Sequence, residues 1–234
     1  MLRPSHIALS PKVHFFLQRH LLSSPSNSKQ PCLSILASNR LFSKSIKNNM
    51  PSALVFLAEG AEEMETVISV DVLRRGGIDV TLAGLNGTEP VLCSRNVKVV
   101  PDKSLAEALK AGPYDVLVCP GGLKGAQNLS ASSEVGKALQ DQEKAGRFVA
   151  AVCAAPTALL AHGVAKGKKL TSHPSVAEKL TGNYKYLDDR VVVDGKLITS
   201  RGPGTCFEFA LAIVEQIQGK DKAKSLVDPM LVKM

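Results

Sequence analysis

The chain has 234 residues, 44% of them hydrophobic, and a formal charge of +8. That is enough apolar content to build a sizeable core, and no run approaches the roughly 18 consecutive apolar residues that a membrane-spanning helix requires. The charge is unevenly placed: residues 1–49 hold seven of the 29 Lys and Arg and none of the 21 Asp and Glu, which leaves the rest with 22 basic against 21 acidic groups. A nearly neutral body offers no basic surface, so a stable nucleic-acid partner is not expected.

Residues 1–49 are rich in serine, and "VHFFLQRHLL" can form a basic amphipathic helix. Arg- and Ser-rich, acid-free segments of this kind read as organelle transit peptides. "RLFSKSIKNN" places Arg40 two residues before Phe42, with Ser45 three further on, which predicts mitochondrial processing near Phe42/Ser43 or before Met50. The alternative is a disordered extension, with translation also starting at Met50 and a cytoplasmic or nuclear form.

From residue 50 the sequence predicts a single α/β domain running to residue 234. "SALVFLA" (52–58) reads as a buried strand. The following helix (62–77) has acids in its first turn, Arg74 and Arg75 in its last, and Gly76 at its end. Strands follow at 79–85 and 97–102, then a helix opened by a Ser104-x-x-Glu107 capping box. "YDVLVCPGG" (114–122) is a central strand running into Gly121 and Gly122. A surface helix at 133–146 leads to a buried strand, "FVAAVC" (148–153), and to the helix "APTALLAHG", with Pro156 in its first turn. "KKLTS", a short helix with a Ser175-x-x-Glu178 box, and "NYKYLDD" come next. "RVVVDGKLITS" reads as a hairpin around Asp194-Gly195. The last predicted helix has a Thr205-x-x-Glu208 box.

Alternating strands and helices imply a mostly parallel sheet covered by helices on both faces, with ligands at the carboxyl ends of the strands. Three features fall at such ends: "EGAEEME" after the first strand, Gly121-Gly122, and Cys153. The sequence therefore predicts that they share one crevice.

Cys153 stands where a strand turns into a helix. It is one of five cysteines (Cys32, Cys93, Cys119, Cys153 and Cys206), none in a C-x-x-C pair or at zinc-site spacing. A helix N-terminus carries about half a positive charge and unpaired N–H groups, which favour a thiolate. The competing reading is a core cysteine, since free Cys is among the most buried residue types. For a partner base, three of the five histidines lie in residues 1–49. His162, nine residues on along the same helix, is about 13 Å away and cannot reach. His173, in "LTSHPS", is left as the candidate. Glu62, Glu63 and Glu65 open the first helix; most would serve the helix dipole, but a protonated one can donate to the sulfur.

The motifs "LAEGAEEMETV", "DVLVCPGGLKGAQNL", "AAVCAAPTALLAHG", "LTSHP" and "ITSRGPGTCFEFALAIVE" resemble the ThiJ/PfpI superfamily, and within it the parkinsonism-associated branch, from residue 52 to the C-terminus. Residues 1–49 fall outside the resemblance. It implies a flavodoxin-like three-layer α/β sandwich that forms a homodimer. It maps the family's oxidation-prone nucleophile onto Cys153, its protonated glutamate onto Glu65 and its histidine onto His173. Gly121, Gly122 and Ala154 would form an oxyanion and substrate site, with Arg75 and Arg95 near the site and the dimer interface. Cys93 is a second candidate for redox modification. The tail "VDPMLVKM" resembles the family's tail, which packs near the site. The implied activities are a glutathione-independent glyoxalase and a deglycase acting on methylglyoxal or glyoxal and their early protein adducts, with neither metal nor organic cofactor. A redox-sensitive chaperone for misfolded clients, switched by oxidation of Cys153, is the alternative. A cysteine peptidase or glutaminase fits less well, because "LTSHPS" supplies no acid beside the histidine.

Overall fold

The computed structural model describes residues 50–233, so the expectations for residues 1–49 lie outside the described residues. β1 (Ser52–Leu57) is apolar and fully buried from Ala53 to Leu57, as a strand with both faces covered requires. Leu54 and Phe56 enter one core, while Ala53, Val55 and Leu57 enter the other.

The chain continues through α1 (Glu63–Arg75), β2 (Asp79–Gly84), β3 (Val91–Leu92), β4 (Lys98–Val99), β5 (Lys103–Ser104), α2 (Leu105–Ala111) and β6 (Val116–Cys119). Then come α3 (Leu123–Ala131), α4 (Ser133–Lys144), β7 (Phe148–Val152), α5 (Pro156–Ala161), β8 (Lys169–Leu170) and α6 (Ala177–Thr181). β9 (Lys185–Tyr186), β10 (Val191–Asp194), β11 (Leu197–Ser200), α7 (Cys206–Gln218) and α8 (Lys220–Val227) complete it.

Seven strands form the main sheet in the order β10-β11-β7-β6-β1-β2-β5, parallel except for the β10–β11 hairpin at one edge. The helices α1, α7 and α8 pack on one face. The other face is covered by α2 to α6. This is a flavodoxin-like three-layer α/β sandwich. Among the described residues, no helix is long and apolar enough to cross a membrane.

Several predicted elements are corrected. The strand expected over 97–102 does not join the main sheet: β4 pairs with β3 in a separate antiparallel arm, and the edge place beside β2 goes to β5. The helices α3 and α8 appear where no helix was predicted. Of the three expected capping boxes, only Ser104/Glu107 closes in both directions. The Thr205 hydroxyl is taken by Ser200 and by the backbone N–H groups of Arg201 and Gly202, while Glu208 pairs with Arg190. Ser175 lies inside a 3-10 turn (Pro174–Val176) capped by His173, so it caps no α-helix.

Candidate active site

β7 ends at Val152 and the backbone turns sharply at Cys153, whose φ is +62°. For a non-glycine residue this is a disfavoured conformation, costing on the order of 1–3 kcal/mol. The bend is held by three backbone bonds: Cys153 N–H to Ser200 O at 3.0 Å, Ala155 N–H to Val152 O at 3.0 Å, and His173 N–H to Cys153 O at 2.8 Å. Ala151, Ala154 and Ala155 are all buried, and their small size permits the tight turn. The thiol is thereby lifted out of the sheet in the manner of a nucleophile elbow. α5 has only six residues, so the polarity at the sulfur comes mainly from individual N–H groups. Those of Gly122 and Ala154 lie close to it and pull its pKa down.

Glu65 comes from the first turn of α1 and has no exposed surface. Its Oε2 accepts the Gly121 N–H at 2.7 Å, and its Oε1 is buried with no hydrogen-bond partner. Burial pushes its pKa up to about 7, against hydrogen bonds from the Cys153 thiol and the Gly121 N–H. The other two acids of this turn are otherwise engaged. Glu62 caps α1, accepting the Glu65 N–H at 2.7 Å. Glu63 accepts from the Ser94 hydroxyl and the Arg95 N–H, both at 2.8 Å, and these bonds outweigh its burial and hold its pKa below the usual value.

Cys153 and Glu65 therefore compete for one proton. While Glu65 is ionised, burial and then the adjacent carboxylate push the thiol up to about 12, and only the Gly122 and Ala154 N–H groups pull the other way. When Glu65 carries the proton, its charge disappears and its O–H can donate to the sulfur, so the same contact favours the thiolate. The two titrate as a pair.

Glycine at 121 is a packing requirement. A Cβ there would stand 2.7 Å from both Cys153 Cβ and Glu65 Oε2. Gly122 has a φ of +79°, and a Cβ on it would collide with the Gly60 carbonyl. The two glycines let β6 cross between α1 and the Cys153 turn and place Gly122 N–H at the sulfur.

A cleft of about 280 Å³ opens above these groups, lined by Cys153, Gly122, Ala154, His173 and Arg95 together with Glu62, Ser94, Leu123, Ser175 and Pro203. Glu65 and Gly121 lie beneath its floor, both buried. The structure thus brings seven of the candidate residues to one place. His173 arrives there because its backbone is tied to Cys153, and its ring is held by Ser175. His162 caps the end of α5 and bonds Leu129 O, away from the cleft.

Arg75 does not join them. It is at the far end of α1, about 15 Å along the helix from Glu65, with its Nε 2.7 Å from Asp71. Cys93 sits below the neighbouring surface beside Leu92 and Ser94, almost fully buried. Burial, with Glu63 and Glu62 nearby, pushes its pKa up to about 11. Cys119 and Cys206 are also buried and held protonated by burial. The C-terminal tail does not line the cleft either: Met230 and Val232 pack with the α1, α7 and α8 core. Spacing alone does not reveal Ser94, Ser175 or Pro203 as cleft residues: Ser94 arrives on a loop, Ser175 and Pro203 arrive in 3-10 turns, and the only pattern among them, Ser175-x-x-Glu178, points to a helix cap instead.

Residues 51–216 match the DJ-1/PfpI family. The chain is 58% identical over 183 residues to a Parkinson disease protein 7 homolog of Danio rerio, covering 77% of this chain and 97% of that protein. It is 46% identical over 181 residues to the glutathione-independent glyoxalase DJR-1.2 of Caenorhabditis elegans, covering 76% and 95%. The crystal structure of Drosophila melanogaster DJ-1beta superposes with a TM-score of 0.77 at 56% identity, covering 79% of this chain and 99% of that one. The family match, the sequence identities and the superposition agree: the chain belongs to the DJ-1/PfpI family.

Proposed function

We propose that this protein is a cysteine-dependent, cofactor-free glyoxalase and deglycase that removes methylglyoxal and glyoxal or their early protein adducts. The observation that carries this reading is the convergence, in one small cleft, of a strained cysteine, a buried glutamate with a raised pKa, two N–H groups close to the sulfur and a histidine. The similarity to a relative named as a glutathione-independent glyoxalase supports it.

With the shared proton on Glu65, the Cys153 thiolate attacks the aldehyde carbon. An S–C bond forms, the carbonyl electrons move to oxygen, and that oxygen takes the Glu65 proton to give a hemithioacetal. Glu65, now a carboxylate, removes the hydrogen from the same carbon. Its electron pair passes into an enediolate with the adjacent carbonyl, the hydroxyl proton moves from the first oxygen to the second, and Glu65 returns the proton it took to the second carbon, which leaves a thioester. One carbon is oxidised and its neighbour reduced within the same molecule, so no external oxidant or cofactor is needed. Water cleaves the resulting thioester, releasing lactate from methylglyoxal or glycolate from glyoxal and restoring the Cys153–Glu65 pair. The Gly122 and Ala154 N–H groups and His173 stabilise charge on the reacting oxygens.

A second reading, a redox-sensitive chaperone, is favoured by one observation: the unpartnered Glu65 Oε1, once protonated, can bond an oxygen of a Cys153 sulfinate. Homodimer formation and mitochondrial import through residues 1–49 complete the proposal. The test is steady-state conversion of methylglyoxal to lactate by the purified chain. The expected result is turnover that Cys153→Ala lowers at least about 10³-fold, with mild peroxide oxidising Cys153 first by mass spectrometry. Turnover unaffected by Cys153→Ala would refute the enzyme reading.

A further inference from the structure

His173 heads the 3-10 turn that follows β8, and its ring folds back onto that turn. Its Nδ1 accepts the backbone N–H of Ser175 at 3.2 Å and lies 2.8 Å from the Ser175 hydroxyl. A backbone N–H can only donate. Nδ1 must therefore present its lone pair, and in the neutral ring the proton belongs on Nε2. The hydroxyl of Ser175 is free to turn and donate to the same nitrogen.

We infer that Ser175 fixes His173 as the Nε2–H tautomer, so that the imidazole works in the cleft as a hydrogen-bond donor that polarises the substrate carbonyl and not as the base that removes a proton from carbon. This rests on the glyoxalase reading given above. It divides the work by geometry. A neutral ring whose Nε2 is already protonated has no lone pair to offer the substrate, because Nδ1 faces Ser175. The carboxylate of Glu65 is then the group left to take the carbon-bound proton. His173 keeps its own proton throughout, holding the oxygen that gains negative charge as the proton leaves carbon. Ser175 acts through His173 and is a positioning residue. A backbone donor on Nδ1 is well suited to this, since it cannot rotate away, and the 3-10 turn that supplies it begins at Pro174.

Two measurements test the assignment. Long-range proton–nitrogen NMR of the full chain, labelled at its histidine ring nitrogens, distinguishes the tautomers without any substrate. His173 is expected to show a protonated Nε2 and an unprotonated Nδ1, with the His173→Gln spectrum assigning the signal. A protonated Nδ1 in the neutral ring would overturn the inference whatever the enzyme does. The second measurement is turnover of methylglyoxal by His173→Ala and His173→Gln. Glutamine places an N–H near the position of Nε2 but cannot act as a base at neutral pH. His173→Ala is expected to lose about 10²- to 10³-fold, and His173→Gln to recover at least about tenfold of that loss. If His173→Gln falls to the level of His173→Ala, the donor role is wrong. If the wild-type chain turns over no methylglyoxal, the glyoxalase reading fails, while the NMR result still decides the tautomer.

Discussion

The Cys153–Glu65 contact places an ionisable pair where water cannot solvate both charges. Burial disfavours charge on either group, so above about pH 7 the pair still retains one proton and the protein decides on which atom it rests. Gly121 N–H on Oε2 and the two N–H groups on the sulfur stabilise negative charge at both ends. Proton exchange between the partners therefore costs less than removing the proton to water. The raised pKa of Glu65 also sets a pH dependence of folding. In the unfolded chain this carboxyl ionises near its usual 4.5, and in the folded one near 7. Between those values the folded state holds the extra proton, so stability is full below about pH 4.5 and is lost as pH rises through 7. A shift of this size corresponds to a loss on the order of 3 kcal/mol. Glu65→Gln, which mimics the protonated acid, is expected to flatten this dependence in urea midpoints measured between pH 4.5 and 7.5. An unchanged slope would place the titrating group elsewhere.

At the scale of elements, the site is a junction of three segments: the first turn of α1, the glycine pair after β6 and the cysteine turn after β7. Gly121 keeps them in contact, and Gly121→Ala drives a methyl group into Cys153 and Glu65 together. The expected result is a loss of about 1–3 kcal/mol of stability and at least about 100-fold lower kcat/KM for methylglyoxal, because the reacting groups are displaced. Wild-type turnover in this variant would show that the spacing of the junction does not matter. The same scale explains where sequence patterns mislead. Ser104, Ser175 and Thr205 all stand three residues before a glutamate, yet only Ser104 closes a capping box. Thr205 is instead bonded by the turn at 201–202 and Ser175 by His173. Glu107, on an exposed helix, meets no other partner. Glu208 meets Arg190. A local pattern predicts a local bond only where no neighbour competes for the same atoms.

At the scale of the whole molecule, α1 exposes Met64 and Val67 one turn apart, and the β3–β4 arm beside it exposes Leu92 and Val97. If this surface is the proposed dimer interface, Val67→Asp is expected to shift the chain from twice its mass to monomer in light scattering without lowering its helix content. A wild-type monomer would exclude the interface. A fluorescent protein fused to residues 1–49 is expected to enter mitochondria, and a diffuse cytosolic signal would refute import. The sequence by itself determined the alternation of strands and helices, the both-sided burial of β1 and the placing of Glu65, Gly121 and Cys153 at strand ends. These follow from hydrophobic periodicity and turn residues, which act over a few positions, and from parallel-sheet geometry, which gathers strand ends on one side. Elimination and family resemblance reached His173 as well. Family resemblance had already singled out Glu65; only the tertiary structure decided that Glu62 caps α1 and Glu63 holds Ser94 and Arg95, that Arg75 stays away and that Ser175 holds the histidine ring. Glu65 meets Gly121 across 56 residues of chain and Glu63 meets Ser94 across 31. Bonds that distant in sequence exist only after the sheet has assembled, and no local spacing encodes them.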